Sequence, residues 1–340
     1  MLCTTLHNLK AQADARFFEN GYTVAARRGR DPAAGKNMIE KTTALPKILL
    51  ESSPDWQDYE LLDSGDGQKL ERYGKYTLRR PEPEAVWRPA LPERAWNNAH
   101  AVFRPSPEEN GGHWETLRPV DERWQMRYKN MRFWTALSAS RHLGVFPEQA
   151  AQWDWVTEQI QQAGKSEPIS VLNLFGYTGL ATLAAAAAGA RVTHVDASKK
   201  VITWARENQE LSGLSERPIR WIVDDALKFI QRDARRGTRY DGLILDPPKF
   251  GRGPKGEVWE FYRLLPSLLD ACREVLAPRP RFVVLTAYAV KASALTLHYA
   301  IEEMMRGLNG QTEAGEVVLQ EKSAGRILSL AIFGRWSSGS

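Results

Sequence analysis

The sequence predicts an α/β protein: a doubly wound sheet of seven strands, parallel except for an antiparallel last strand, preceded by a small β-rich N-terminal domain. Three observations carry this. After about residue 149 the apolar pattern alternates between strand-type and helix-type runs, the rhythm of a parallel sheet covered by helices on both faces. The last two strand-type runs are separated only by the short polar segment 321–326, which leaves no room for a crossover helix, so they form a hairpin. Before residue 145 the pattern has period two, is rich in aromatics and is punctuated by Pro and Gly, as in small antiparallel sheets.

Composition agrees with two folded domains. Of 340 residues, 43% are apolar and 26% charged, which excludes a disordered, collagen-like or disulfide-scaffold chain. Residues 1–41 read as a loosely ordered basic extension. They carry Arg16, Arg27, Arg28 and Arg30 with Asp31-Pro32 and Ala34-Gly35 as breakers, and Met38 is an alternative start. Residues 42–149 form the β-rich domain and 150–340 the α/β domain. The net charge of +5 permits an anionic partner without demanding one. Cys3 and Cys272 are too few for a disulfide framework, which suits a reducing cytoplasm. The six histidines are scattered without helical metal-site spacing, so no metal is expected.

The N-terminus lacks the apolar core of a secretory leader. Residues 168–190 are uncharged and long enough to span a bilayer. Asn173, Gly176, Tyr177, Thr178 and Gly179 divide that stretch into a short strand, a turn and an alanine-rich helix, so it reads as a buried βα unit.

In the β-rich domain, Trp124-Gln125-Met126-Arg127-Tyr128 and residues 132–136 alternate as half-buried strands. Eight of the twelve tryptophans precede Glu158, and such residues are more often core than stacking platforms. Further strands are expected at 170–174, 191–195, 219–223, 242–245, 281–286, 316–320 and 327–333. Helical runs lie at 180–188, with Gly189 as C-cap, and at 198–212, 226–235, 258–276 and 293–306.

Chemistry-bearing residues fall at the carboxyl ends of the strands, where doubly wound folds bind nucleotides. The first strand ends in Asn173-Leu174-Phe175-Gly176-Tyr177-Thr178-Gly179, whose glycines let the backbone approach a ligand. The spacing is not that of a dinucleotide fingerprint, and a tight connection is the plainer reading. Asp196 ends the second strand, where a carboxylate can accept both hydroxyls of a ribose or simply cap a helix with Ser198. Asp224-Asp225-Ala226 ends the third in the same layer and suits an adenine amino group, one aspartate being equally credible as an N-cap. The fourth ends in Asp246-Pro247-Pro248-Lys249-Phe250. Its prolines remove two backbone donors and fix φ, so the carbonyls of Asp246 and Pro247 face a donor-bearing planar substrate on which Phe250 can stack. Lys249, Arg252 and Lys255 follow in a loop and can hold phosphates or stand solvated.

In this order the motifs resemble those of class I S-adenosylmethionine-dependent methyltransferases. More narrowly, the chain is similar to bacterial large-subunit ribosomal-RNA base methyltransferases with a DPP(K/T)F loop and a G-x-F-x-(D/E)-Q segment, here Gly144-Val145-Phe146-Pro147-Glu148-Gln149. The resemblance covers about residues 44–333. It implies S-adenosylmethionine as cofactor, held by Asn173, Phe175, Gly176, Tyr177, Thr178, Gly179, Asp196, Ala197, Asp225 and Ala226, with Phe146, Glu148 and Gln149 in the same wall. It implies catalytic roles for Asp246, Pro247, Pro248, Lys249 and Phe250, and RNA, ribosomal RNA first, as partner. Relatives that methylate cytosine at carbon 5 carry a cysteine after the fifth strand. Here that position reads Leu285-Thr286-Ala287-Tyr288. A nucleobase nitrogen is therefore the expected acceptor. The alternatives are a small-molecule or protein acceptor on the same fold, and a non-catalytic cofactor- or RNA-binding module, against which the intact Asp246-Pro247-Pro248 lip argues.

Overall fold

A computed structural model describes residues 45–53, 56–106, 111–138, 141–164 and 168–339. The expected basic extension, with Met38, Cys3 and its arginines, lies outside them. The described chain opens with strand β1 (Ile48–Glu51) and a meander of β2 (Tyr59–Gly65), β3 (Gln68–Tyr73) and β4 (Tyr76–Pro81). A short helix, α1 (Glu93–Asn97), leads to β5 (Ala101–Pro105) and β6 (Gly112–Thr116), and β2 to β6 form one five-stranded sheet in chain order. Next comes the hairpin of β7 (Trp124–Tyr128) and β8 (Met131–Thr135), where Trp124, Met126 and Tyr128 are buried while Gln125 and Arg127 face solvent. Lys129, at φ +49°, gives its two-residue turn the backbone twist a tight hairpin needs.

The remaining elements alternate as expected: α2 (Ala150–Gln162), β9 (Ser170–Leu174), α3 (Leu180–Ala187), β10 (Arg191–Asp196), α4 (Lys199–Leu211), β11 (Ile219–Val223), α5 (Ala226–Arg235) and β12 (Gly242–Leu245). A small hairpin, β13 (Phe250–Arg252) with β14 (Val258–Glu260), precedes α6 (Phe261–Val275), β15 (Phe282–Ala287) and α7 (Ala294–Met304). The long strands β16 (Gly310–Gln320) and β17 (Ile327–Ser338) finish the chain. The main sheet is ordered β1-β16-β17-β15-β12-β9-β10-β11, and only β17 runs antiparallel to its neighbours.

Period two on the central strands builds both faces of the core. On β9, β12 and β15, Leu172, Leu243 and Val283 point to α5, α6 and α7, where they meet Phe229, Leu268, Cys272 and Ile301. Val171, Ile244 and Val284 point the other way, to Val156, Ile160 and Ala185 on α2 and α3. A third cluster joins Tyr59, Tyr73, Leu78, Trp124 and Phe133 of the β-rich region to Trp153, Leu180 and Leu183, so the apolar core runs continuously past residue 149.

Four details depart from the sequence reading. The sheet has eight strands, because β1 pairs in parallel with β16; Leu49 packs near Val317 and Phe333, and Glu51 accepts a hydrogen bond from Arg335. Strands β16 and β17 extend well beyond 316–320 and 327–333. The helix expected at 258–276 starts at Phe261, since Val258–Glu260 pairs with Phe250–Arg252. The polar turn 321–326 is no free solvent turn: Glu321 is buried against Ser64 and Arg326, and the N–H groups of Lys322 and Ser323 donate to the carbonyls of Leu61 and Leu62.

Candidate active site

The carboxyl ends of β9, β10, β11 and β12 converge on a cavity of ≈ 330 Å³ whose walls include Phe175, Tyr177, Asp196, Asp225, Asp246 and Trp259. The turn after β9 reaches it by an unusual route. Phe175 (φ +59°) and Tyr177 (φ +50°) take left-handed backbone, a strain expected at sites where position matters more than stability. The glycine between them is required by a buried neighbour: a Cβ on Gly176 would lie 2.3 Å from Cε1 of His194, so Gly176 makes room for that ring as well as lining the narrow extension described below. Gly179, at φ +85°, caps α3, and a Cβ there would press on Ala205 and Trp221, also away from the cavity.

Asp196 holds the turn in place. Its Oδ2 accepts from the Tyr177 N–H at 3.0 Å and its Oδ1 from the Ser198 N–H at 2.9 Å, while Ser198 itself caps α4. Each carboxylate oxygen keeps a further lone pair for a donor in the cavity. Burial pushes its carboxyl upward, opposed by the N–H groups of Ser198, Tyr177 and Ala197. Of the two following aspartates, Asp225 is the N-cap, its Oδ1 accepting from the Lys228 N–H, and it also lines the cavity with Ala197 and Ala226. Asp224 is paired with Arg232 instead.

Beneath the turn a narrow extension of ≈ 60 Å³ is lined by Phe146, Gln149, Gln152, Asn173, Gly176, Thr178 and Asp246. Asn173 Nδ2 donates to Thr182, and Thr178 Oγ1 donates to the Gly144 carbonyl at 2.6 Å, tying this turn to the segment that carries Phe146 and Gln149. Two side chains here hold polar atoms that are buried without a partner: both ends of the Gln152 amide, and Asp246 Oδ1. An orphaned buried polar atom costs stability, and a ligand is one way it is repaid. Burial, and secondarily the charge of Glu148, push the Asp246 carboxyl up to about 7.

His142, Phe146 and Tyr288 form the partition between this cavity and a larger cleft of ≈ 510 Å³. Their rings pack in sequence, His142 to Phe146 at 4.5 Å and Phe146 to Tyr288 at 5.4 Å. The cleft lies between the five-stranded sheet and the main sheet; Lys69, Arg80, Arg141, Lys249 and Lys291 line it together with Glu82, Glu84, Glu148 and Glu316, and Lys69 is paired with Glu82. Arg80 is buried and paired through two nitrogens with Glu71, and its Nη1 donates to the Arg141 carbonyl at 3.0 Å, which fixes the chain leading to His142. Burial and the cations Arg80, Arg141 and Lys69 push His142 well below the usual imidazole range, so the ring is neutral. Burial likewise raises Glu148, against the pull of Lys69 and Arg80.

Of the residues singled out from sequence, Pro247, Phe250 and Gly179 lie outside these three cavities, Pro248 lines the first and Lys249 the large cleft. Phe250 is 53% exposed on β13. Sequence reasoning missed Gln152, His142, Trp259 and Tyr288. Tyr288 follows directly on the fifth parallel strand, a position that marks the active edge of such a sheet; Trp259 was hidden inside an expected helix. Its ring packs at a tilt against Phe175 with centroids 4.9 Å apart, and its Nε1 donates to the Pro248 carbonyl at 2.6 Å.

A family model described as S-adenosylmethionine-dependent methyltransferase matches residues 87–309. A solved S-adenosylmethionine-dependent methyltransferase from Agrobacterium tumefaciens is 48% identical, with a TM-score of 0.82, covering 87% of this chain and 95% of its own. A methyltransferase solved with SAH bound shares the fold, with a TM-score of 0.63 at 18% identity, over 82% of this chain and 75% of its own. The Ribosomal RNA large subunit methyltransferase K of Neisseria meningitidis serogroup B is 27% identical over 221 residues, 63% of this chain and 61% of that relative. The chain spans only 17% and 19% of the longer K/L relatives it also matches. Among the described residues no helix is long and apolar enough to cross a membrane.

Proposed function

Because the chain belongs to the S-adenosylmethionine-dependent methyltransferase family and takes S-adenosylmethionine as its cofactor, we propose that it methylates a nucleobase nitrogen in ribosomal or other structured RNA. The cofactor supplies a methyl group on a sulfonium, an excellent leaving group, so the chain's own contribution is alignment and exclusion of water. In this reading Asp196 receives the ribose hydroxyls on its remaining lone pairs, and Asp225 and Ala226 border the adenine. Gln149, Gln152 and Asn173 take the amino-acid end in the narrow extension, where the orphaned Gln152 amide offers one acceptor and one donor to an ammonium and a carboxylate. Asp246 lines both the extension and the main cavity, and its free Oδ1 accepts a hydrogen bond from the acceptor base.

The observation that carries an RNA acceptor is the partition. A cleft of ≈ 510 Å³, ample for one nucleotide and lined by cations and glutamates together, meets the cofactor cavity at three rings that can flank a planar base. The named activity of the Neisseria relative on ribosomal RNA supports the same reading. Nitrogen is favoured over carbon because Thr286, Ala287 and Tyr288 supply no thiol, while Cys272 is fully buried in the core of α6 with its thiol pushed up by burial. Mapping modified nucleosides by mass spectrometry in RNA from a deletion strain, followed by methyl transfer to that RNA in vitro, tests it. An N-methylated nucleoside lost on deletion and restored by the enzyme is expected; loss of a 5-methylcytosine, or transfer only to a small molecule, would overturn the reading.

A further inference from the structure

The hairpin β13–β14 stands at the mouth of the site with one face anchored and the other empty. Gly251 and Trp259 are partners in its ladder and face inward, Trp259 being fastened to Phe175 and to the Pro248 carbonyl. Phe250, its ladder partner Glu260 and Val258 lie on the other face, and the exposed Arg252 opposite Val258 also borders the cofactor cavity. Phe250 is 53% and Val258 41% exposed, although aromatic rings normally bury such area. Around them Lys249, Arg252 and Lys255 form no ion pair among the described residues. The acids of the hairpin are already spent, Glu257 on Lys228 at 2.7 Å and on the Lys255 N–H at 2.8 Å, Glu260 on Arg263 at 3.2 Å. Phe250 is therefore an exposed aromatic ring on an anchored hairpin, with the unpaired cations Lys249, Arg252 and Lys255 near it in the chain, beside a cleft that Lys249 also lines.

We propose that this face binds the RNA strand next to the acceptor: Phe250 stacks on a neighbouring base, and Arg252 and Lys255 take its phosphates. This rests on the reading that the acceptor is RNA, and it removes Phe250 from the role of stacking on the acceptor base itself. One exposed ring flanked by cations is the minimal unit of single-strand recognition, in which stacking is indifferent to sequence and cations follow the backbone. A protein partner would use the apolar area but leave the cations without purpose.

The test uses the full chain and a fluorescein-labelled single-stranded RNA of mixed sequence, with affinity measured by anisotropy across a salt series. Phe250→Ala should weaken binding about tenfold and Phe250→Leu equally, while Phe250→Trp restores it, because only an aromatic face stacks. Lys255→Gln should lower the slope of log affinity against log salt by about 0.7, one phosphate contact on a single strand. If wild type methylates RNA but these variants bind with unchanged affinity and slope, the platform is wrong and the RNA reading stands. Should wild type neither bind nor methylate RNA, both fall.

Discussion

Asp246 and Gln152 bury polar atoms without partners, a cost to the fold that the proposed site would explain. Asp246 is ionised in an unfolded chain above about 3.8, yet the fold keeps it protonated up to about 7. Its favourable contribution is complete below pH 4 and is lost as pH rises to 7, so at pH 8 the apo fold carries a buried charge it does not pair. Asp246→Asn should therefore melt at higher temperature than wild type at pH 8, with the gap closing toward pH 4. The same change should cut turnover about a hundredfold by misplacing the acceptor, with little effect on cofactor affinity. A melting temperature at pH 8 equal to or below wild type would contradict this. Gln152→Leu should likewise raise the apo melting temperature by relieving an orphaned amide, while calorimetry shows S-adenosylmethionine affinity reduced about tenfold. An unchanged affinity would remove Gln152 from the site.

At the scale of elements, the parallel strands were legible in the sequence because they are short, largely apolar runs that alternate with helical ones and end at helix caps, and β9, β11 and β12 fall where expected. The carboxylates at their ends were legible for the same reason, since topology alone brings Asp196, Asp225 and Asp246 to one edge. What could not be read was pairing between distant segments. Four residues at 48–51 carry no pattern that names β16 as their neighbour, and Val258–Glu260 is helix-compatible until Phe250–Arg252 is found beside it. The neighbours of Gly176 and Phe250, the buried His194 and open solvent, could not be read either, because they are tertiary facts. Trp259 shows how one such pairing positions the site: it is the rivet between the hairpin and the turn after β9. Trp259→Ala should cost about 3–5 kcal/mol by emptying a buried ring site. It should also weaken cofactor binding, because Phe175 loses the ring it rests on; denaturant unfolding and calorimetry together check this, and a variant with wild-type cofactor affinity would refute the coupling.

Across the whole molecule the apolar core is shared, and so is the polar framework that aims the partition. Arg80 on β4 pairs with Glu71 on the neighbouring β3 and reaches out of the sheet to the Arg141 carbonyl. Burial alone would raise Glu71, but Arg80 and Lys69 outweigh it and hold the carboxyl below its ordinary range, so its contribution persists at neutral pH and fades only as pH falls through that lowered value. Glu71→Gln, which strands Arg80 in the interior, should cost about 3–5 kcal/mol. Calorimetry of residues 45–340 should show a single transition, whereas a separate early melting of the β-rich region would contradict a common core. The pairing of β1 with β16, and the grip of residues 61–64 on the turn 321–326, also dictate a schedule of synthesis. The ribosome releases β1 long before β16 exists, so the hydrogen-bonding edge that β1 offers to β16 stays open until residues 310–320 have been made. A chain cut short upstream of residue 310 leaves that edge of β1 without its partner, an unpaired row of backbone donors and acceptors of the kind that invites aggregation.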